Sequence, residues 1–215
     1  RATQTIFEQG HQVGQLAKQL FPNGVEVTSS HDDFSGMLSE TEKLLKLRKP
    51  IFEAALKYKN GFARADVLNP VGDDSWDIIE VKSSTDLKDV NLSDIAFQKY
   101  VYEGAGLNIN KCHLMYINNK YVRNGKIEPK ELFIQKDVTD QVKPLIKDIE
   151  HNLGSMVNII QQAECPDIPI GVYCSKPYKC ALQNLCWGFL PPDNVLTLYR
   201  LKKEIAFGLV YDSIT

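Results

Sequence analysis

Two hydrophobic periods alternate along the chain. Residues 3–21 repeat at helical spacing: Ile6, Val13, Ala17 and Leu20 share a face, and Pro22-Asn23-Gly24 closes the segment. Residues 39–47 carry a short second helical pattern, stopped by Pro50. The period then shortens, and Ile51–Tyr58, Phe62–Leu68 and Trp76–Val81 read as three strands. Asn60-Gly61 is a hairpin signal between the first two, and residues 69–74 form a longer loop before the third. Residues 91–105 return to helical spacing and end at Gly104 and Gly106. Cys112–Asn118 and Leu132–Lys136 read as two more strands, and residues 139–162 as a long helix capped by Thr139 or Asp140. A Pro-rich stretch, residues 163–192, precedes a final helix over 193–212. The order predicts an α/β fold with antiparallel strands in front and a crossover helix behind them. The expected division is a core over residues 1–162 and a cysteine-bearing appendage over 163–215.

The 215 residues are 43% apolar and 24% charged, the mix of a globular protein rather than a disordered or fibrous one. No run approaches the length of a membrane span. The chain has 25 Lys and Arg against 27 Asp and Glu, so it has no overall basic excess; a nucleic-acid partner must be held by a local patch and bound cations. It starts at Arg1 without a charged-then-apolar leader, and reads as a piece of an intracellular, cytoplasmic protein with a further domain or partner beyond it.

Four of the five cysteines, Cys165, Cys174, Cys180 and Cys186, fall within 22 residues. The odd count and the clustering argue against a disulfide framework. Thiolates gathered from a short loop-rich stretch suit a soft metal centre, either tetrahedral zinc or a four-cysteine iron–sulfur cluster. Cys112 sits alone in an apolar run and reads as a core residue.

The chemistry concentrates in Asp66, Glu80 and Lys82. Residues two apart on a strand face the same way, so Glu80 and Lys82 project together while Val81 turns to the core. A hairpin brings Asp66 beside Glu80. Two carboxylates and an ammonium at one sheet edge become favourable once a divalent cation bridges the acids. The following helix adds Gln98 and Tyr102, four apart and so on one face.

This D-x13-E-x-K set followed by Q-x3-Y resembles the PD-(D/E)XK nuclease superfamily, and more narrowly its RecB-like branch. The cysteines behind it resemble the iron–sulfur members of that branch, AddB and the CRISPR-associated RecB-like exonucleases. The opening Phe7-Glu8-Gln9-Gly10-His11-Gln12-Val13-Gly14 resembles a bacterial group in which such a domain precedes another. The resemblance implies a restriction-endonuclease-like core (α-βββ-α-β) with a cysteine-ligated cluster appendage. It implies a DNA nuclease that uses Mg2+ or Mn2+, works on single-stranded or free ends, and carries a structural [4Fe-4S] cluster, with Zn2+ as the alternative. Asp66, Glu80, Lys82, Gln98 and Tyr102 would be catalytic. Asp66, Glu80, the Val81 carbonyl and His11 would hold the divalent ion, with Glu8 as the rival to His11. The cluster would take Cys165, Cys174, Cys180 and Cys186, or three of these and a ligand upstream of Arg1. The other reading is a non-catalytic nucleic-acid-binding or zinc-stabilised interaction module.

Three further features complete the picture. Glu53 lies inside a buried-looking strand, where it supports the site or, the preferred reading, pairs with Arg64. Lys43, Lys46, Arg48, Lys49, Lys57 and Lys59 form a basic run that is either a phosphate-tracking groove or a solvated face. Tyr116, Tyr121, Tyr173, Tyr178 and Trp187 are either base-stacking platforms or packing.

Overall fold

The computed structural model describes residues 2–214, with side chains from residue 8 onward. Ile6 and Phe7, expected on the first helix face, lie outside the described side chains. The chain divides into two compact units, Arg1–Ile160 and Gln161–Thr215.

The first unit is a six-stranded mixed sheet with helices on both faces. Helix α1 (Ala2–Lys18) leads to a two-residue strand β1 (Val25–Glu26), helix α2 (Phe34–Leu45), then strands β2 (Ile51–Tyr58), β3 (Gly61–Val71) and β4 (Ser75–Lys82). Helix α3 (Asp89–Gly104) crosses to β5 (Asn108–Ile117); a single turn α4 (Pro129–Leu132), strand β6 (Phe133–Asp137), and helices α5 (Thr139–Ile146) and α6 (Ile149–Ile160) follow. The strands lie in chain order, β1 to β6. β1 pairs parallel to β2 and β4 parallel to β5, while the other neighbours are antiparallel.

Apolar alternation on the strands buries both faces. Ile51, Leu68, Ile78 and Leu114 pack with Ile95, Val101 and Tyr102 of α3 and Val142 of α5. Phe52, Val67, Ile79 and Met115 pack with Val13, Leu16 and Ala17 of α1. Each large side chain so buried contributes about 1.5–3 kcal/mol. Cys112 is in the first of these cores, and burial pushes its thiol up to about 12.

Several sequence expectations shift. The second helix starts at Phe34, five residues before the expected residue 39, because Asp33 caps it by accepting the Gly36 N–H at 2.8 Å. The hairpin turn is Lys59-Asn60, one residue earlier than expected; Tyr58 pairs with Gly61, and Lys59 takes the left-handed φ of 50°. Gly61 sits in a tight place, since a Cβ there would meet Val101 Cγ2 at 3.0 Å and push it aside slightly. The long helix over 139–162 is two helices, broken after Ile146, where Pro144 has removed one main-chain donor. Neither Thr139 nor Asp140 caps it: Val138 is the N-cap residue, and Asp137 takes the Thr139 N–H at 3.0 Å. β1 and α4 are too short to carry a period and were not expected.

The second unit is mostly irregular. It contains a 3-10 turn at Val172–Ser175, the short helix α7 (Gln183–Cys186), a second 3-10 turn at Val195–Thr197 and helix α8 (Lys203–Tyr211). The single helix expected over 193–212 is interrupted: Leu198 is extended, with ψ 128°, and Arg200 is left-handed, with φ 63°. Ile170, Cys174, Val195, Phe207 and Val210 form its core. Among the described residues no helix is long and apolar enough to cross a membrane.

The loop after β1 is fastened by one acid. The Glu40 carboxylate accepts from the Thr28 N–H and hydroxyl, both at 2.9 Å, and from the Ser29 N–H at 3.0 Å and hydroxyl at 2.9 Å. Desolvation raises its pKa, but these four bonds outweigh it and bring Glu40 from 4.5 down to about 2. The folded chain therefore binds this proton less readily than the unfolded one. The stability it confers is complete above about pH 4.5 and drains away as pH falls toward about 2. Urea melts over that window are expected to show a smaller acid-induced loss in Glu40→Gln than in the parent.

Candidate active-site cleft

The β3–β4 ladder runs from Val71↔Ser75 to Val67↔Ile79 and stops there. Continued one step, its register sets Asp66 beside Glu80. The β2–β3 register sets Glu53 opposite Asp66, although the pairs on either side, Phe52↔Val67 and Ala54↔Ala65, are the ones bonded. A cleft of about 940 Å3 opens at this point, with Asp66, Glu80, Val81 and Lys82 in its wall.

The side chains at the cleft are interlocked. Asp66 Oδ2 accepts the Val81 N–H at 2.7 Å, so a carboxylate serves where a main-chain acceptor would stand in a regular sheet. Lys82 Nζ donates to Glu80 Oε1 at 2.9 Å and to Asp94 Oδ2 at 3.1 Å. Gln98 Nε2 donates to the other Glu80 oxygen at 2.7 Å. Glu80 and Lys82 thus both face α3, while Val81 packs in the core beneath α1, as the period of two requires.

Electrostatics at this point are unfavourable for two bare acids. Burial and then the charge of Glu80 push the Asp66 carboxyl well above the usual range, and the Val81 N–H only partly offsets them. Burial disfavours charge on Lys82, but Glu80 and Asp94 outweigh it and raise the amine above its ordinary value. Lys82 is thereby tied to two acids, one on its own strand and one on α3.

Tyr102 departs from the sequence expectation of a catalytic contact. It is fully buried, and its hydroxyl accepts from the Ala65 N–H at 2.8 Å and donates to the Ala54 carbonyl. It holds β2 and β3 in place beneath the acids and is a positioning residue. Gln98, 7% exposed, touches Glu80 directly, and its Oε1 is buried without a partner.

His11, with Gly10 and Gly14 of α1, lines the same cleft, whereas Glu8 is not in its wall. The basic run is elsewhere: none of Lys43, Lys46, Arg48, Lys49, Lys57 and Lys59 lines the cleft. Arg48 instead clamps the β3–β4 hairpin, donating to the Gly72 carbonyl at 2.9 Å and lying 4.4 Å from the Trp76 ring centroid. The cations of the cleft are Lys18, Arg64 and Lys82. Asp94 was not anticipated, although it lies four residues before Gln98; extending the Gln98–Tyr102 stripe back one turn would have found it.

Hard carboxylate oxygens crowded in a partly buried cleft fit a magnesium-type ion, which keeps several waters and needs few protein ligands. Among the described residues no three His, Cys, Asp or Glu side chains converge as a ligand set. That holds for the cysteines as well as for the His11 position. Cys174 is buried, with its Sγ accepting the Gly171 N–H at 3.4 Å, while Cys165, Cys180 and Cys186 are exposed and unpaired. Cys174 lies in the apolar core of its unit, and Cys165, Cys180 and Cys186 face solvent.

No family model matches the chain, and no curated protein does. A solved structure titled "Crystal structure of SSO0001" is 12% identical, with a TM-score of 0.30 over 72% of this chain and 89% of that one. The functional reading therefore rests on the site itself.

Removing the Tyr102 hydroxyl leaves the Ala65 N–H and Ala54 carbonyl without their bridge. Tyr102→Phe is expected to lose about 1–3 kcal/mol in denaturant unfolding.

Proposed function

We propose that this chain is a divalent-metal-dependent DNA nuclease of the PD-(D/E)XK, RecB-like kind, acting on single-stranded or free DNA ends. The observation that carries the reading is the convergence of Asp66, Glu80 and Lys82 on one cleft, with Gln98 bonded to Glu80. Asp66, Glu80 and the Val81 carbonyl would hold Mg2+ or Mn2+, and His11 is the additional donor candidate. When bound, the ion supplies charge neutralisation at a phosphoryl oxygen and a more acidic water. Gln98 fixes the rotamer of Glu80 by occupying one of its oxygens. Lys82, held cationic by Glu80 and Asp94, offsets charge that builds on the phosphate and orients the attacking water.

Labelled single-stranded DNA incubated with Mn2+ tests this. The parent is expected to cut, chelation to stop it, and Lys82→Ala to lose roughly 100-fold or more in rate. Equal cutting by Lys82→Ala would overturn the assignment, and binding without cutting would favour a non-catalytic module on the same scaffold.

For the second unit, the proposal is a [4Fe-4S] cluster held by Cys165, Cys174, Cys180 and Cys186, with zinc as the alternative. It rests on four thiols within 22 residues. Iron, sulfide and zinc analysis of anaerobically prepared protein decides it. Iron and sulfide in about fourfold amounts with visible charge-transfer absorbance supports the cluster. One zinc per chain supports the alternative, and metal-free protein removes both.

A further inference from the structure

The cleft contains a second charged group that the proposed chemistry does not use. Arg64 stands two residues before Asp66 on β3, and Lys82 two residues after Glu80 on β4. The two cations come from neighbouring strands, beyond the last bonded pair of the β3–β4 ladder, Val67↔Ile79. Both cations line the same cleft as the acids. Arg64 is also braced. Its Nε donates to Glu53 Oε2 at 3.0 Å, and its Nη1 meets Nδ1 of His31 from the loop that Glu40 fastens. Glu53 itself is held at a φ of 58°, a left-handed conformation that a glutamate adopts only under constraint. The Arg64 side chain remains 32% exposed toward the cleft.

A guanidinium presents five donors in a rigid fork. Glu53 engages Nε and His31 engages Nη1, on opposite sides of the guanidinium, which leaves the two Nη2 protons for a ligand. A braced, partly exposed fork beside an acid pair is suited to a tetrahedral dianion or a phosphodiester, since the bracing has already removed much of the side-chain entropy. We infer that Arg64, oriented by Glu53 and His31, grips the phosphate adjacent to the one at the acid pair, and so sets the position of the DNA strand rather than the chemical step. The inference rests on the nuclease reading above and adds to it a residue outside the D, E-x-K and Q-x3-Y set.

The test uses the full chain and a fluorescein-labelled oligothymidylate, with Ca2+ in place of Mn2+ so that binding is read without cutting. Arg64→Ala is expected to weaken binding about tenfold. It should also reduce the salt slope by about 0.7, the share of one phosphate on a single strand. With Mn2+ the same variant should raise KM and leave kcat near the parent value. Arg64→Lys keeps the charge and loses the fork, so it should restore the salt slope and only part of the affinity. If Arg64→Ala fails to fold, Arg64→Lys carries the test alone, with a several-fold loss of affinity at unchanged slope. An Arg64→Ala protein with parental affinity and slope overturns the inference, as does one whose kcat falls while binding is unchanged. If Lys82→Ala abolishes cutting in the same series, the nuclease reading survives that failure. A parent chain that neither binds nor cuts ends both.

Discussion

Burial of the Asp66 carboxyl, next to the charge of Glu80, is the constraint on which the cleft depends. Both acids stand just past the last bonded β3–β4 pair, although Glu80 still pairs with Leu114 of β5. The surroundings compensate piece by piece. The Val81 N–H binds Asp66, Gln98 and Lys82 each take one oxygen of Glu80, and Asp94 shares the lysine. The Asp66 carboxyl is still held well above its normal range, so the compensation is incomplete. This incomplete compensation is what the proposed divalent ion would relieve.

Much of this frame is legible in the residue pattern. The three-strand meander is written in the alternation from Ile51 to Lys82, and the crossover helix in the stripe containing Gln98 and Tyr102. Period two alone is enough to place Glu80 with Lys82 and to send Val81 the other way. The role of Tyr102 was not legible, because spacing gives its face but not its depth; only the packed core shows the hydroxyl inserted between main-chain groups of β2 and β3. The basic run, left open between a groove and a solvated face, lies away from the cleft. Lys43 to Lys59 are adjacent in sequence, but Arg48 turns inward to a hairpin and Lys59 pairs with Glu150. The cleft is served instead by cations from α1, β3 and β4 that share no local signal.

In the second unit the cysteine spacing left the metal and the fourth ligand open, and the burial of each thiol was not legible from it. Cys174 behaves as a small apolar residue beside Ile170 and Phe207, consistent with the ordinary preference of this side chain. Asn194 caps the short turn Val195–Thr197 by accepting the Leu196 N–H, and the chain leaves helical geometry at Leu198.

Lys82 has two anchors of unequal exposure: Glu80, 12% exposed, and Asp94, 47% exposed. A cation that claims Glu80 need not strand the amine, which keeps its second berth on α3. Under the proposed chemistry, loading the cleft would be a change of partner rather than the creation of an orphaned charge, because the lysine would keep its bond to Asp94.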